Sequence, residues 1–208
     1  RNTVDQHEAD VFVAFNRRHY QSVELARTAI EDDGGISSCW ADFTEAMFRI
    51  DPSEYEDQVL RRWGIANSIH VLDLVFFFCG EPDQLEPVQQ GDDVPWHPAG
   101  SVFYGCGQTT EEVPFSYHAD WGAPGRWRIE INTPERKLLF SPMERLQVQE
   151  SETFEVVEYG DDYTIDTEYK PGFYRQTERF LSGEFDRFAT LISLDAELRI
   201  LERIFGYE

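Results

Sequence analysis

The feature that most constrains the fold is a change of hydrophobic period about halfway along the chain. From residue 101 to residue 158, short segments alternate apolar with polar residues or are rich in β-branched and aromatic ones, and turn signals separate them. Strands that follow one another across short turns pair antiparallel. We therefore predict an antiparallel sheet with strands at residues 101–109, 113–120, 127–132, 137–141, 145–149 and 154–158.

Before these strands, the pattern predicts a single βα unit, a further strand and two helices. Residues 11–15 are a continuous apolar run, which is typical of a buried strand in a parallel sheet. Ser53 and Glu56 have the spacing of a capping box, which begins a helix to about Arg62. The other elements are a helix at 20–32, a half-buried strand at 36–48 and a very apolar helix at 67–79.

Two more regions complete the predicted architecture. Residues 81–100 are rich in Pro, Asp and Gly and are expected to form a surface loop. Helices return after Pro171, the last with an apolar stripe from Leu191 to Phe205. This order predicts an α+β fold, a large, mainly antiparallel open sheet with helices on one face. Because a lone parallel strand is unstable, the strand at 11–15 is expected to complete a sheet whose other strands lie upstream.

The charge of the chain excludes some classes of partner. The 208 residues include 40 Asp and Glu against 18 Lys and Arg, a formal net charge of −22, so neither nucleic acid nor an anionic membrane is expected to bind. With 41% hydrophobic and 14% aromatic residues, the chain is not an acidic disordered tail. Its only lysines are Lys137 and Lys170. High acid content with little lysine resembles the proteins of extreme halophiles; the alternative is an ordinary acidic mesophile protein.

The cysteines and the apolar runs indicate the cellular compartment in which the protein is expected. Cys39, Cys79 and Cys106 are too few for a closed disulfide framework, and their apolar contexts predict reduced, buried thiols. Residues 1–10 are polar and lack the apolar core of a secretory signal. The longest apolar run, residues 74–79, is far shorter than a membrane span. We expect a cytoplasmic protein.

The densest group of candidate chemical residues lies on the apolar helix at 67–79. Asn67, His70 and Asp73 recur at steps of three, so all three can project from one helical face. An imidazole and a carboxylate on an apolar helix need partners or a wet cleft. A carboxylate near His70 orients the ring and raises its pKa, which suits proton transfer. The alternative is a hydrogen-bonded core histidine with Asp73 as its local partner.

Two arginines provide a second candidate site. Arg17 and Arg18 directly follow the strand predicted at 11–15, and ligands of α/β units bind at the carboxyl ends of strands. A guanidinium pairs with a carboxylate or phosphate, so either arginine can anchor an acidic group of a substrate. The alternative is a pair of surface arginines in an acidic neighbourhood. The histidines and cysteines show no metal-ligand spacing, and we expect no metal.

Four motifs in order resemble one enzyme family over nearly the whole chain. They are Phe15-Asn16-Arg17-Arg18 after a strand, a helix that ends at Gly34-Gly35, the His70-x-x-Asp73 helix that ends at Gly80, and Lys170-Pro171-Gly172-Phe173-Tyr174-Arg175-Gln176 before a further helix. Together they resemble the later part of the glucose–fructose oxidoreductase, inositol dehydrogenase and rhizopine-catabolism oxidoreductases.

The resemblance implies a fold and an activity. Such enzymes have an N-terminal Rossmann domain that binds NAD or NADP, and a C-terminal domain whose open sheet face commonly forms the oligomer. Hydride passes between the nicotinamide and a carbinol carbon of a sugar or polyol, and the histidine that matches His70 moves the hydroxyl proton. Residues 1–19 would then be a remnant of the Rossmann domain, ending its final strand. Residues 20–208 would be the substrate-binding and oligomerisation domain.

The chain also departs from the family pattern. It has neither Gly-x-Gly-x-x-Gly nor Glu-Lys-Pro, both of which are expected upstream of Arg1. We therefore expect this segment alone to bind neither NAD nor NADP and to be inactive. The family often has Asp four residues before the histidine, where Ala66 stands in this chain, with Asn67 beside it.

Three functions fit these observations. The preferred one is the C-terminal substrate domain of an NAD(P)-dependent oxidoreductase acting on a sugar, polyol or related hydroxy compound. His70 would be its general acid or base, with Asn67 and Asp73 as orienting or substrate-hydroxyl partners. The second is a non-catalytic sugar-binding or interaction module, which Ala66 favours. The third is a stand-alone assembly protein built on a sheet. The expected partners are a small-molecule substrate and further copies of the chain through the open sheet face.

We predict that the free energy of unfolding of this chain falls when salt is lowered, because unscreened carboxylates repel one another. Urea unfolding at low and at molar salt measures the effect, and the expected result is a lower midpoint at low salt. Identical midpoints would contradict the halophilic interpretation and favour an ordinary acidic protein.

Overall fold

The computed structural model describes residues 10–207 of the chain. Within that range the strands are β1 (Phe12–Val13), β2 (Ser38–Asp42), β3 (Pro82–Gln90), β4 (Val102–Thr109), β5 (Pro114–Asp120), β6 (Arg128–Asn132), β7 (Arg136–Phe140), β8 (Gln147–Glu150), β9 (Val157–Glu158) and β10 (Ala189–Thr190). The helices are α1 (Gln21–Asp32), α2 (Asp57–Leu60), α3 (Ile69–Cys79), α4 (Thr164–Glu168), α5 (Phe173–Ser182) and α6 (Leu191–Phe205).

One open sheet of eight strands dominates the fold. Its strand order is β3–β4–β5–β2–β6–β7–β8–β9, so β2 lies near the middle. Neighbouring strands pair antiparallel, except that β2 and β5 run parallel. The predicted α+β fold with a large, mainly antiparallel sheet is confirmed.

Helices cover one face of this sheet. Alternate side chains of the inner strands, such as Ala41, Phe103 and Ile131, are buried in a single hydrophobic core. Helix α3 packs on β2 and β6, and α6 packs on β3 and β4. On the other face, Trp40 is half-buried and Tyr104 is exposed. This burial of every second residue is the period of two from which the strands were predicted.

Helix α3 lies in the middle of the core, with Leu72 and Leu74 fully buried. A π-helical turn, Gly64–Ser68, leads into it. A β-carbon at position 64 would lie 2.5 Å from the Phe205 ring of α6, so only glycine allows this turn to approach α6 so closely. The turn carries Asn67 and α3 carries His70, so this packing positions the residues predicted to form the site.

A buried ion pair ties α3 to the 3₁₀ turn Asn16–His19, which joins β1 to α1. The Nε atom of Arg18 donates to Oδ1 and Oδ2 of Asp73 at 3.1 and 3.0 Å, and Nη2 donates to Oδ1. The Glu197 carboxyl of α6 lies beside them. Burial, followed by the charge on Asp73, raises the pKa of Glu197 to about 9. Glu197 is therefore protonated at neutral pH. The group of three side chains then has one cation, Arg18, and one anion, Asp73.

The predicted loop at residues 81–100 is wrong over much of its length, because β3 forms there. Strand β3 lies at the edge of the sheet and, among the described strands, pairs only with β4. An edge position tolerates Pro82 and Pro87, since a missing N–H group on the outer side breaks no ladder hydrogen bond.

The helix predicted from Ser53 to about Arg62 is much shorter, and its predicted capping box does not form. The Asp51 side chain accepts a hydrogen bond from the Ser53 backbone N–H at 2.9 Å and caps a short 3₁₀ turn instead. Glu56 makes no capping hydrogen bond through its side chain, and α2 has only four residues.

The strand predicted at residues 11–15 is shorter and pairs differently. Its two residues pair antiparallel with β10, in the register Phe12 with Thr190 and Val13 with Ala189. The assignment of residues 1–19 to a preceding Rossmann domain stays a prediction, since residues 1–9 lie outside the described part of the chain.

Two of the three predicted buried thiols are confirmed. Cys39 and Cys79 are buried in the core, whereas Cys106 is exposed. Cys106 lies two residues from Tyr104 on β4 and therefore shares the open face of the sheet.

We predict that Arg18→Met lowers the free energy of unfolding by about 3–5 kcal/mol, because the buried Asp73 carboxylate loses its cation. Urea unfolding at neutral pH measures the loss. The matched control is Arg199→Met, which removes an exposed ion pair with Asp195 and is expected to cost less than about 1 kcal/mol. Equal losses in the two variants would contradict the role assigned to the buried pair.

Candidate active site

A cavity of about 420 Å³ opens beside the turn that leads into α3. Its walls come from the 3₁₀ turn after β1, the segment after β2 and the turn before α3. A segment just before β6 and another just after β7 complete them. A cavity of this size is suited to a small molecule. The polar and aromatic side chains in its wall are Arg17, Thr44, Glu45, Arg49, Tyr55, Trp63, Asn67, Arg126, Trp127 and Glu144.

Glu45 is a buried carboxylate in this wall, 5% exposed. The Nδ2 group of Asn67 donates to both carboxylate oxygens at 3.1 and 3.0 Å, and the Ser68 hydroxyl donates to Oε1 at 2.6 Å. Burial raises the pKa of Glu45, and these hydrogen bonds oppose the rise. The group is thus fixed in position and can exchange hydrogen bonds with a hydroxyl group in the cavity.

His70 lies one helical turn along from Asn67. Its ring packs edge-on against Phe15, with 5.8 Å between centroids. The Nδ1 atom is buried and makes no hydrogen bond within residues 10–207. Burial, followed by the positive charges of Arg17 and Lys170, lowers the pKa of His70 to about 4. The predicted rise from a neighbouring Asp73 is therefore wrong, because Asp73 pairs with Arg18 and the charges that act on the imidazole are cationic.

Arg17 also lines the cavity. Its guanidinium stacks over the Trp127 ring at 4.7 Å from the centroid. Among the described residues it forms no ion pair and no side-chain hydrogen bond. Burial lowers the pKa of Arg17, and the negative groups around it, including Glu144 and Glu45, offset this only in part.

The segment that carries Lys170 is clamped onto the 3₁₀ turn. The Asn16 side-chain amide donates to the Pro171 carbonyl at 3.0 Å, and the Asp166 carboxylate accepts from the Gly172 N–H at 3.0 Å. Gly172 has a φ of 77°, and a β-carbon there would lie 2.0 Å from the Asn16 carbonyl oxygen. The motif around Lys170 therefore holds a cation near His70.

The structure divides the five predicted site residues into two groups. Arg17 and Asn67 line the cavity, and His70 lies next to them. Arg18 and Asp73 instead bind each other in the core, so neither one faces the cavity.

Glu45 and Trp127 were not predicted from the sequence to belong to the site. A signal for Glu45 was present, because it follows Ala41 and Phe43 at every second position, and all three side chains are buried. A carboxylate at an inward position of an alternating segment needs partners, which Asn67 and Ser68 provide. The position of Trp127 depends on how distant segments meet, and no local pattern indicates it.

Two further observations concern metal ligands and apolar helices among the described residues. Within residues 10–207, no three His, Cys, Asp or Glu side chains are grouped so as to hold a metal ion. None of the described helices is both long and apolar enough to cross a membrane.

No family model and no curated protein matches the sequence. Solved structures match its fold at low identity. The UDP-N-acetylglucosamine 3-dehydrogenase GnnA from Acidithiobacillus ferrooxidans is 13% identical with a TM-score of 0.69, over 99% of this chain and 65% of that one. A levoglucosan dehydrogenase in complex with NADH is 19% identical with a TM-score of 0.69, and the match covers 98% of this chain and 66% of that protein. A super-repressor mutant of Gal80p from Saccharomyces cerevisiae is 13% identical with a TM-score of 0.70, and the match covers 99% of this chain and 64% of that protein.

This chain spans less than two thirds of the length of each of these three proteins. The match at high coverage of this chain confirms, at the level of fold, the resemblance predicted from the four sequence motifs. The chain has the fold of the C-terminal domain of the glucose–fructose oxidoreductase, inositol dehydrogenase and rhizopine-catabolism oxidoreductases.

Proposed function

We propose that this chain is the C-terminal substrate domain of an NAD(P)-dependent oxidoreductase that transfers hydride to or from a sugar, polyol or related hydroxy compound. Two of the proteins that share its fold are described as dehydrogenases of UDP-N-acetylglucosamine and of levoglucosan, the latter in complex with NADH. The length of these relatives leaves room for a dinucleotide-binding domain outside this chain.

The observation that carries the proposal is the state of His70. Its Nδ1 atom is buried without a hydrogen-bond partner among the described residues, and its pKa of about 4 keeps the imidazole neutral at physiological pH. A neutral imidazole has one ring nitrogen with a free lone pair. Because Nδ1 is buried, Nε2 is the nitrogen that would accept the proton of a substrate hydroxyl as hydride leaves the same carbon. The nearby Lys170 ammonium stabilises an alkoxide that forms as the proton leaves.

Asn67 and Asp73 have different parts in this proposal. The Nδ2 group of Asn67 is occupied by Glu45, which leaves its carbonyl oxygen to accept a hydrogen bond from a substrate hydroxyl. Asp73 acts through Arg18 and α3, by fixing the position of His70, rather than by touching substrate.

NAD or NADP would supply the hydride acceptor or donor when bound. The residues of this chain fit the substrate side of that reaction. The one Gly-x-Gly sequence, at Gly105 and Gly107, lies inside β4 rather than at the start of a helix, where a pyrophosphate site requires it. We therefore propose that residues outside this chain hold the dinucleotide.

A second candidate function is a non-catalytic sugar-binding or interaction module. Ala66, at the position where the family often has Asp, is exposed, and the carboxylate that follows His70 on α3, Asp73, is occupied by Arg18. One protein with this fold is described as a super-repressor, so the fold is not confined to dehydrogenases.

We predict that His70→Ala lowers kcat by about 10²- to 10⁴-fold in the protein extended upstream to include its dinucleotide-binding domain, because the proton acceptor is lost. Turnover is followed by nicotinamide absorbance with a panel of sugars and polyols. Affinity for NAD or NADP is expected to stay unchanged, since His70 lies on the substrate side.

The matched control is His118→Ala, which removes an exposed histidine from β5 and is expected to leave kcat unchanged. Absence of any turnover by the native extended protein, with sugar binding retained, would favour the non-catalytic module. Turnover that survives in His70→Ala would contradict the role of His70.

A second prediction concerns protonation of His70. Its imidazole is expected to titrate at pH about 4 in this chain, and Lys170→Gln is expected to raise that pKa by removing a nearby cation. The unfolded chain takes up this proton near pH 6.5, so the contribution of His70 to stability falls as pH falls from about 6.5 to about 4. NMR titration of the ring Cε1–H measures the pKa, and a value at or above 6.5 would contradict the neutral imidazole.

A further inference from the structure

The guanidinium of Arg17 differs from the other arginines of the core in lacking an acidic partner. Arg18 pairs with Asp73, and the partly buried Arg136, Arg175 and Arg187 also have carboxylate partners. Arg17 is as sheltered as these groups, yet no carboxylate within the described residues binds it. A sheltered cation without its counterion is costly unless a ligand supplies the negative charge.

The cavity has more positive than negative charge available to a ligand. Arg49 and Arg126 line it together with Arg17. Of the two acids in the wall, Glu144 lies 4.0 Å from Arg126, and the Glu45 carboxyl accepts hydrogen bonds from Asn67 and Ser68. Arg17 and Arg49 therefore remain without a partner among the described residues, although the chain as a whole has a net charge of −22.

The rest of the wall suits a sugar ring. Trp63, Trp127 and Tyr55 provide aromatic surface, on which the apolar side of a ring can pack. The Glu45 carboxyl and the Asn67 amide are fixed to each other and can bind hydroxyl groups. An anion site, an aromatic wall and two hydroxyl-binding groups thus meet in one cavity.

We propose, on the basis of the proposed function, that the substrate is a sugar that carries a carboxylate or phosphate group, and that Arg17 binds this anion while Glu45 and Asn67 bind its hydroxyl groups. A planar guanidinium forms two parallel hydrogen bonds with either anion. Arg18, the other arginine predicted as an anchor, has no such role, since Asp73 occupies it.

Sugar binding to the 208-residue chain tests the proposal without turnover. Calorimetric titration compares glucuronate, galacturonate and a hexose phosphate with glucose and galactose. At least one anionic sugar is expected to bind, with the neutral sugars about tenfold weaker or more. Comparison of the two uronates with the hexose phosphate shows whether the bound anionic group is a carboxylate or a phosphate. Equal affinity for charged and neutral sugars, or no binding of any anionic sugar, would overturn the proposal.

Variants of Arg17 test the residue. Arg17→Gln is expected to weaken binding of the anionic sugar by about tenfold or more and to leave any binding of glucose unchanged. Arg17→Lys keeps the charge without the planar fork, and is expected to recover part of the affinity. Anionic-sugar affinity that is unchanged in Arg17→Gln, or an equal loss for charged and neutral sugars, would overturn the assignment.

The matched control is Arg61→Gln, which removes an exposed arginine outside the cavity and is expected to leave affinity unchanged. Equal urea midpoints of the native chain and the Arg17 variants show that the variants fold.

Failure of this proposal and failure of the proposed function give different results. If anionic sugars bind through Arg17 but the extended protein transfers no hydride, the anion site stands and the oxidoreductase proposal falls. If the extended protein oxidises neutral sugars and Arg17→Gln does so equally well, the oxidoreductase proposal stands and the anion site falls.

Discussion

The ion pair between Arg18 and Asp73 is the interaction on which the arrangement of the candidate site depends. A carboxylate on an apolar helix costs several kcal/mol to bury, and only a well-aligned cation offsets that cost. Arg18 meets this need and so holds the 3₁₀ turn Asn16–His19 against α3. Adjacent residues of a 3₁₀ turn point in different directions. With Arg18 directed into the core, Arg17 is left to stack on Trp127 and face the cavity.

Much of the fold could be predicted because one face of the sheet is buried and the other is not. The strands predicted at residues 101–109, 113–120 and 127–132 agree with β4, β5 and β6 to within a residue at each end, since burial of every second side chain is visible in the sequence. Strand β3 was missed because an edge strand tolerates proline and polar residues. The parallel pairing of β2 with β5 joins segments far apart in the chain, and no local pattern encodes it.

The site was predicted only where its residues are close together in the sequence. Asn67 and His70 were found through their spacing on α3. The partner of Asp73 was predicted incorrectly, because spacing makes His70 as plausible a neighbour as Arg18, which lies 55 residues away. Glu45 shows the same limit, since its hydrogen bond to Asn67 spans 22 residues. It brings a carboxylate into contact with the turn on which Ala66 replaces the aspartate often found in the family, and it does so from a different segment.

An acidic chain and an anionic ligand are compatible because the two electrostatic effects act over different distances. A net charge of −22 repels an approaching anion over the Debye length, about 10 Å at 0.1 M salt and about 3 Å at 1 M. A guanidinium–carboxylate hydrogen bond forms at about 2.8 Å, inside a cavity where salt screens it less. Salt therefore removes the long-range repulsion before it weakens the contact. Within residues 10–207 all but five acidic side chains are at least partly exposed, whereas Arg17 lines the cavity without a partner. If Arg17 binds an anionic sugar as proposed, salt therefore eases the approach of that sugar to an acidic surface while the contact with Arg17 is weakened less.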